Sequence, residues 1–100
     1  MQQYGTADRK GFDVLGSTAR GQAAMMTLGP GESTGGPDNT HAESDQWLLV
    51  ISGRGRATVA GRTIPLEPHT LVVIEPGEPH EIQAGDEPLV TFNMYTPPAY

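Results

Sequence analysis

The sequence contains no cysteine, which excludes disulfide bridges, thiolate metal sites and cysteine nucleophiles. Basic residues are scarce: six Lys and Arg stand against twelve Asp and Glu, giving a net charge of −6. Because nucleic-acid binding needs a basic surface, we expect no nucleic-acid partner. No run of about 18 apolar residues is present, and the polar N-terminal stretch lacks the apolar core of a signal peptide. We therefore expect no membrane partner and a cytoplasmic location.

The length leaves room for one hydrophobic core. A chain of 100 residues predicts a single domain over residues 1–100. Its 13 Gly and 9 Pro are dispersed between apolar runs of about five to eight residues, none of which has a helical period. This distribution predicts many turns between short strands rather than helices or disorder.

About eight short strands are predicted, separated by Gly, Pro, Asn and Asp clusters. They cover residues 12–15, 22–28, 46–52, 56–59, 62–66, 70–74, 80–83 and 89–95, with a tight hairpin turn at Ala60-Gly61. Residues 33–40 are predicted to form a loop. Strands at this spacing are typical of an all-β sandwich or small barrel.

Histidine is the residue type in this sequence that is best suited to metal binding or catalysis, and it occurs three times. His69 occupies a turn and is predicted to be exposed. His41 follows a Gly-rich loop, and if the next residues are extended, Glu43 points to the same face. Gln46 and His80 each begin a predicted strand. Imidazole nitrogen with carboxylate or amide oxygen suits Fe, Ni, Zn, Mn or Cu, although histidines so far apart in sequence are more often simply surface or hydrogen-bonded residues.

Residues 35–53 resemble the first motif of the cupin family. Gly35 is followed after five residues by His41, and Gln46 is followed after six residues by Gly53. Two positions depart from the motif: Glu43 stands where the second His is expected, and Gln46 stands where Glu is expected. Gln in place of Glu is an accepted variant in small cupins.

Residues 69–84 resemble the second cupin motif. The match lies in Gly77-Glu78-Pro79-His80, whereas Glu75 and Ala84 replace the Pro and Asn of the motif. The resemblance implies a small single-domain cupin, with a double-stranded β-helix, or jelly-roll, of short antiparallel strands.

The resemblance also implies a divalent metal ion inside the barrel, held by His41, Glu43, Gln46 and His80. Glu43 is the open position, because it could be a ligand, act as a general base or face solvent. An amide binds metal more weakly than a carboxylate, and some cupin relatives have lost their metal, so a metal-free pocket is the alternative.

A substrate pocket is predicted from residues on two strands. Thr91, Asn93 and Tyr95 share one face of the last strand, where they would either orient a substrate or form a solvated face. Met26 would either fill the core or line an apolar pocket. The predicted pocket residues are Met26, Asn93 and Tyr95.

The function that follows is a metal-dependent cupin acting on a small molecule, with isomerase, dioxygenase, lyase and hydrolase chemistry all open. The competing hypothesis is a non-catalytic module that binds or senses a small ligand, with or without a metal. The resemblance further implies a homodimer, with Trp47 or the N-terminal strand at the contact.

Overall fold

Nine β-strands make up the regular structure of this protein, in a computed structural model that describes residues 1–35 and 40–100. The strands are β1 (Gly11–Ser17), β2 (Gln22–Leu28), β3 (Ser33–Thr34), β4 (Asp45–Ser52), β5 (Gly55–Val59), β6 (Arg62–Leu66), β7 (Leu71–Ile74), β8 (His80–Ala84) and β9 (Leu89–Thr96). Within the described ranges, no helix has the length and apolar character needed to cross a membrane. The all-β prediction is confirmed.

The strands form two antiparallel sheets. One sheet has five strands in the order β1-β2-β9-β4-β7, and the other has four in the order β3-β8-β5-β6. Every pairing is antiparallel, and most neighbours are distant in sequence. Consecutive segments therefore pass from one sheet to the other, as in a jelly-roll sandwich.

The predicted strand bounds agree with the structure to within one or two residues, and β2 and β6 agree at both ends. The exception is β3, because residues 33–40 were expected to form a loop throughout. Ser33 and Thr34 instead pair with Gln83 and Ile82 of β8. Two residues are too few to show a period, so this pairing depends on the position of β8. The part of the expected loop at 36–39 lies outside the described residues.

Glycines of the two motifs occupy positions that favour this residue. Gly53 has a φ of 84°, and a Cβ there would overlap the carbonyl oxygen of Pro88. Gly77 has a φ of 80° in the turn before β8. L-residues with side chains rarely adopt this left-handed conformation, so the backbone geometry favours glycine at both positions.

The hydrophobic core lies between the two sheets. Leu48, Val50 and Leu89 have no exposed surface, and Ile82 from the facing sheet is 1% exposed. They belong to one contiguous cluster with the remaining buried aliphatic side chains. Burial of each large aliphatic side chain contributes about 1.5–3 kcal/mol, so this cluster is the main source of stability.

The outer face of the five-stranded sheet is also apolar around β4 and β7. Trp47 lies on the opposite side of β4 from Gln46, pairs with Val73 and is 43% exposed. Leu71 on the same face is 56% exposed. An antiparallel sheet usually carries polar residues on its solvent face, so this surface differs from the usual pattern. The expected homodimer stays a prediction, because the structure contains one chain.

Candidate functional site

His80 begins β8 and projects into the sandwich, where only 2% of it is exposed. Its Nδ1 lies 3.0 Å from the backbone oxygen of Glu78. A carbonyl oxygen can only accept a hydrogen bond, so Nδ1 carries a proton, and in the neutral ring Nε2 is then the nitrogen with the lone pair. A backbone carbonyl bonded to one ring nitrogen is the usual way to orient a metal-binding histidine.

His41 lies just before β4 and is held against the turn that precedes His80. Its backbone oxygen accepts a hydrogen bond of 2.8 Å from the amide of Gly77. The two imidazole centroids are 5.1 Å apart, with the ring planes inclined at 32°. The topology therefore brings together two histidines that are distant in sequence, one from each motif.

The surroundings of His41 favour its neutral form. Burial lowers its pKa below the usual 6.5, and the neighbouring His80 lowers it further, while a weaker polar contact with Gln46 acts in the opposite direction. Neutral imidazole is the form that binds a metal ion, because protonation occupies the lone pair. The environment thus favours the ligating state of His41.

Gln46 is the third member of the group, and a chain of hydrogen bonds fixes its amide. Its Nε2 donates to Oδ1 of Asn93 at 3.0 Å, and Nδ2 of Asn93 donates to Oγ1 of Thr91 at 3.0 Å. The Thr91 hydroxyl donates in turn to the backbone oxygen of Met26 at 3.2 Å. All three polar side chains are at most 3% exposed. The chain orients the Gln46 oxygen away from Asn93.

Within residues 1–35 and 40–100 that oxygen is a buried acceptor with no hydrogen-bond partner of good geometry, and its contact with His41 is only a weak one. An unpaired buried polar atom costs about 1–3 kcal/mol, so it calls for a physical explanation. A cation bound between Gln46 and the histidines would supply the missing partner. Two neutral imidazoles and an amide oxygen are donors that suit a borderline divalent ion, and a three-donor site leaves positions open. The residues present therefore fit a metal ion.

Glu43 does not join this group. It is exposed, and the described ranges 1–35 and 40–100 contain no group of three His, Asp or Glu side chains that could hold a metal. Residues 42–43 form a bend rather than an extended strand, so the alternation that would align Glu43 with His41 does not operate. Its assignment as ligand or base stays a prediction without a supporting contact.

The predicted pocket residues have different surroundings. Tyr95 is 2% exposed, and its ring centroid lies 5.2 Å from that of His41. Asn93 lies behind Gln46 and acts on its orientation, while Met26 belongs to the apolar cluster. The row formed by Thr91, Asn93 and Tyr95 faces the interior and not the solvent. Burial of Tyr95 and its contact with Tyr100 raise the pKa of the Tyr95 phenol, which stays protonated near neutral pH.

Two further aromatic residues complete the surroundings of His41. The ring centroid of Tyr100 lies 5.6 Å from that of His41 and 4.7 Å from that of Phe12. Neither residue belongs to a motif, and Tyr100 follows two prolines that end the last strand. No periodicity marks such a segment, so only the fold places Tyr100 at the site.

The three polar residues of the site, His41, Gln46 and His80, fall within one family match. A family model described as the cupin domain matches residues 24–95. The chain is a member of the cupin family. The two motif-like stretches thus belong to a true cupin sequence, and Tyr100 lies beyond the matched range.

Solved structures share the fold of this chain. A Bacillus halodurans protein matches with a TM-score of 0.86 and 25% identity, over 94% of this cupin and 75% of that protein. KdgF from a Halomonas species gives a TM-score of 0.80 at 20% identity, over 87% and 77% of the two chains. A predicted oxalate decarboxylase from Thermotoga maritima gives 0.71 at 23% identity, over 77% and 66%. A search of curated proteins finds no match.

Proposed function

We propose that this cupin binds a divalent metal ion through His41, Gln46 and His80 and uses it to bind or convert a small oxygen-containing molecule. The observation that carries the proposal is the buried Gln46 oxygen, which lacks a hydrogen-bond partner of good geometry in the part of the chain that the structure describes. It contacts His41, one of two adjacent histidines, and the other, His80, has its Nδ1 bonded to a backbone carbonyl. A buried acceptor and adjacent imidazoles form a site whose missing component is a cation.

The protein residues have separable roles in this proposal. His41 and His80 would supply nitrogen donors, and the Asn93–Thr91 chain keeps the Gln46 oxygen turned away from Asn93 and in contact with His41. The bound ion would act as a Lewis acid or activate water or dioxygen. Because all three donors are neutral, they would leave the positive charge of the ion available to polarise an anionic or carbonyl ligand. Isomerase, dioxygenase and lyase reactions are all compatible with such a site.

Metal content is the direct test. The purified protein is reconstituted separately with Fe²⁺, Ni²⁺, Zn²⁺, Mn²⁺ and Cu²⁺, and bound metal is measured by elemental analysis after gel filtration. We expect about one equivalent of at least one of these ions, and a loss of more than tenfold in the His41→Ala/His80→Ala double variant. The matched control is His69→Asn, since His69 is exposed in a turn and Asn tolerates its φ of 74°.

A wild-type protein that keeps only a small fraction of an equivalent of every ion would refute the metal proposal. The double variant is checked by circular dichroism, so that loss of metal is separated from loss of fold. If the folded double variant retains the wild-type metal content, the ion is bound elsewhere and the assignment of the histidines fails.

A non-catalytic ligand-binding cupin is the second candidate. It is favoured by the position of Glu43, the expected general base, which is exposed and in a bend rather than beside the histidines. Oxalate is a suitable first probe, because one structural neighbour is described as a predicted oxalate decarboxylase. Saturable binding with no product by NMR would support a binding module for this ligand, whereas product that requires the metal would support an enzyme.

A further inference from the structure

The hydroxyl of Tyr100 lies at an unusual distance from His41. Its oxygen is 3.5 Å from Nε2 of the imidazole, which is long for a hydrogen bond between a hydroxyl and a ring nitrogen. Two donors that are each about 2.0–2.1 Å from one ion at a tetrahedral angle lie about 3.4 Å from each other. The observed separation is compatible with two neighbouring ligands of a single metal ion, as well as with a long hydrogen bond.

We propose that the Tyr100 phenol is a further donor of the metal site, next to His41, Gln46 and His80. This inference rests on the proposed function, because it requires that a metal binds at the histidine pair. It adds a protein ligand from outside the two motifs and outside the family match at residues 24–95. On ligation the phenol would lose its proton to solvent and bind as a phenolate.

The backbone around Tyr100 is held by a buried side chain. Gln22 at the start of β2 is 3% exposed, and its Nε2 donates to the backbone oxygen of Tyr100 at 2.7 Å and to Oγ of Ser17 at 3.0 Å. Its Oε1 accepts from the amides of Ala99 at 3.2 Å and Tyr100 at 2.9 Å. A buried amide whose donor and acceptor are both used on one short segment fixes the position of that segment.

A further hydrogen bond connects the same segment to the loop that carries His41. The hydroxyl of Ser44 donates to the backbone oxygen of Pro97 at 2.6 Å. The Tyr100 ring packs edge-on against Tyr95, with centroids 5.1 Å apart, and against Phe12. These contacts hold the ring while its hydroxyl end faces His41, and 61% of the residue is exposed, which leaves the site open to solvent.

Charge is the chemical reason for such a donor. His41, Gln46 and His80 are neutral ligands, so a divalent ion among them would have no compensating negative charge. Glu43 is exposed and does not join the group. A phenolate from Tyr100 would supply one negative charge, and hard oxygen anions favour higher charge on the metal. The site would therefore stabilise a ferric or cupric ion more than the three neutral donors alone.

Iron spectroscopy provides a test that is independent of activity. The protein is loaded with Fe²⁺ without oxygen and then oxidised, and a phenolate bound to ferric iron gives a visible charge-transfer band. The sequence has three tyrosines, so three single variants assign the band completely. We expect the band in wild type and its loss in Tyr100→Phe. Tyr4→Phe should keep the band, because the Tyr4 phenol donates its hydrogen bond to Gln2 on the surface.

Affinity and positioning give two further measurements. Tyr100→Phe keeps the ring contacts, so we expect it to fold normally and to bind Cu²⁺ at least about tenfold more weakly than wild type. Gln22→Met removes the hydrogen bonds to Ala99 and Tyr100 but keeps the side-chain length. It should weaken the charge-transfer band although Tyr100 is still present. Gln22 is thus a positioning residue, and the band reports its effect directly.

The possible failures are distinguishable. If wild type binds no metal, the proposed function fails and this inference fails with it. If wild type binds iron without a visible band, or if Tyr100→Phe retains the band and the Cu²⁺ affinity, Tyr100 is not a ligand while the metal site itself stands. If the band disappears only in Tyr95→Phe, the phenol donor is Tyr95 and the assignment to Tyr100 is wrong.

Discussion

The two ends of the inner sheet face differ in chemistry although they are built from the same strands. At one end, Leu28 of β2 pairs with Leu89 of β9, and both belong to the apolar cluster. At the other end, Gln22, Tyr95 and Gln46 pair across β2, β9 and β4 in one buried polar row. The first end gains stability from burial. The second holds polar groups that cost stability unless they are paired, and among the described residues the Gln46 oxygen has no hydrogen-bond partner of good geometry.

This contrast separates the residues that maintain the fold from those that carry function. Substitutions at the apolar end should lower the free energy of unfolding without a specific effect on the metal site. Substitutions at the polar end should change metal binding as well as stability. Four measurements test the separation, beginning with the largest expected effect.

Leu89→Ala at the apolar end should have the largest effect on stability. Leu89 has no exposed surface, so truncation leaves a cavity and should lower the free energy of unfolding by about 2–5 kcal/mol. Urea denaturation measures this loss, and Leu71→Ala is the control, because Leu71 is 56% exposed and should change stability by less than about 0.5 kcal/mol. Metal bound per folded molecule should be unchanged in both variants, and a specific loss in Leu89→Ala would contradict the separation.

Gln46→Glu should destabilise the metal-free protein by about 1–3 kcal/mol and strengthen metal binding at least tenfold. The carboxylate replaces the Nε2 that donates to Asn93, so two acceptors would face each other in a buried position. The same negative charge would improve the donor set for a cation. Calorimetric titration with Zn²⁺ and urea denaturation measure the two effects, and weaker Zn²⁺ binding would contradict the proposed role of Gln46.

The matched control for that substitution is Gln83→Glu. Gln83 lies on β8 of the other sheet, pairs with Ser33 and Arg56, and is partly exposed. The same change of charge there should leave Zn²⁺ affinity within about twofold of wild type, since it is a surface change beside solvent. A similar gain in both variants would indicate a general charge effect rather than ligation.

Thr91→Val should have a smaller effect on Zn²⁺ affinity, because Thr91 is connected to Gln46 only indirectly, through the hydrogen bonds of Asn93. The substitution removes the hydroxyl that accepts from Asn93 and donates to Met26, so Asn93 should hold Gln46 less firmly. We expect a loss of about 1 kcal/mol in stability and a fewfold decrease in Zn²⁺ affinity. Unchanged affinity with reduced stability would show that the chain supports the fold but does not orient the Gln46 oxygen.

The pH dependence of the metal-free protein should give the smallest effect. Burial first, and then the neighbouring His80, lower the pKa of His41 from 6.5 in the folded state. The unfolded chain therefore binds this proton more readily, so the His41 contribution to stability decreases as pH falls below about 6.5. Solvent screens the half-buried ring, which limits the effect. Thermal unfolding between pH 7 and pH 5 should show a shallower decrease in His41→Gln than in wild type, and equal slopes would contradict the assignment.

Strand positions could be predicted from sequence wherever a strand is long enough to show its pattern. The apolar runs and the Gly and Pro turns predict β2 and β6 with their observed bounds. β3 could not be predicted, because its two residues become a strand only by pairing with β8. The alternation that would align Glu43 with His41 failed for a related reason: local spacing indicates a common face only in an extended backbone, and residues 42–43 bend.

The candidate site was partly predictable. His41 and His80 were expected as a pair through the resemblance to cupins, and the structure brings their rings to 5.1 Å. Nothing in the local sequence indicates that Asn93 fixes the Gln46 amide or that Gln22 holds Tyr100, since these contacts join residues more than 45 positions apart. Such contacts depend on which strands become neighbours.

The sequence by itself determined the all-β class, the positions of most strands and turns, the absence of thiol chemistry and the acidic charge, because periodicity, turn propensity and composition are local or summed properties. Only the tertiary structure decided which polar side chains lie close together: the histidine pair, the buried Gln46 oxygen and Tyr100 facing His41. The physical reason is that these proximities arise from antiparallel pairing between strands distant in the chain, where register decides the contacts.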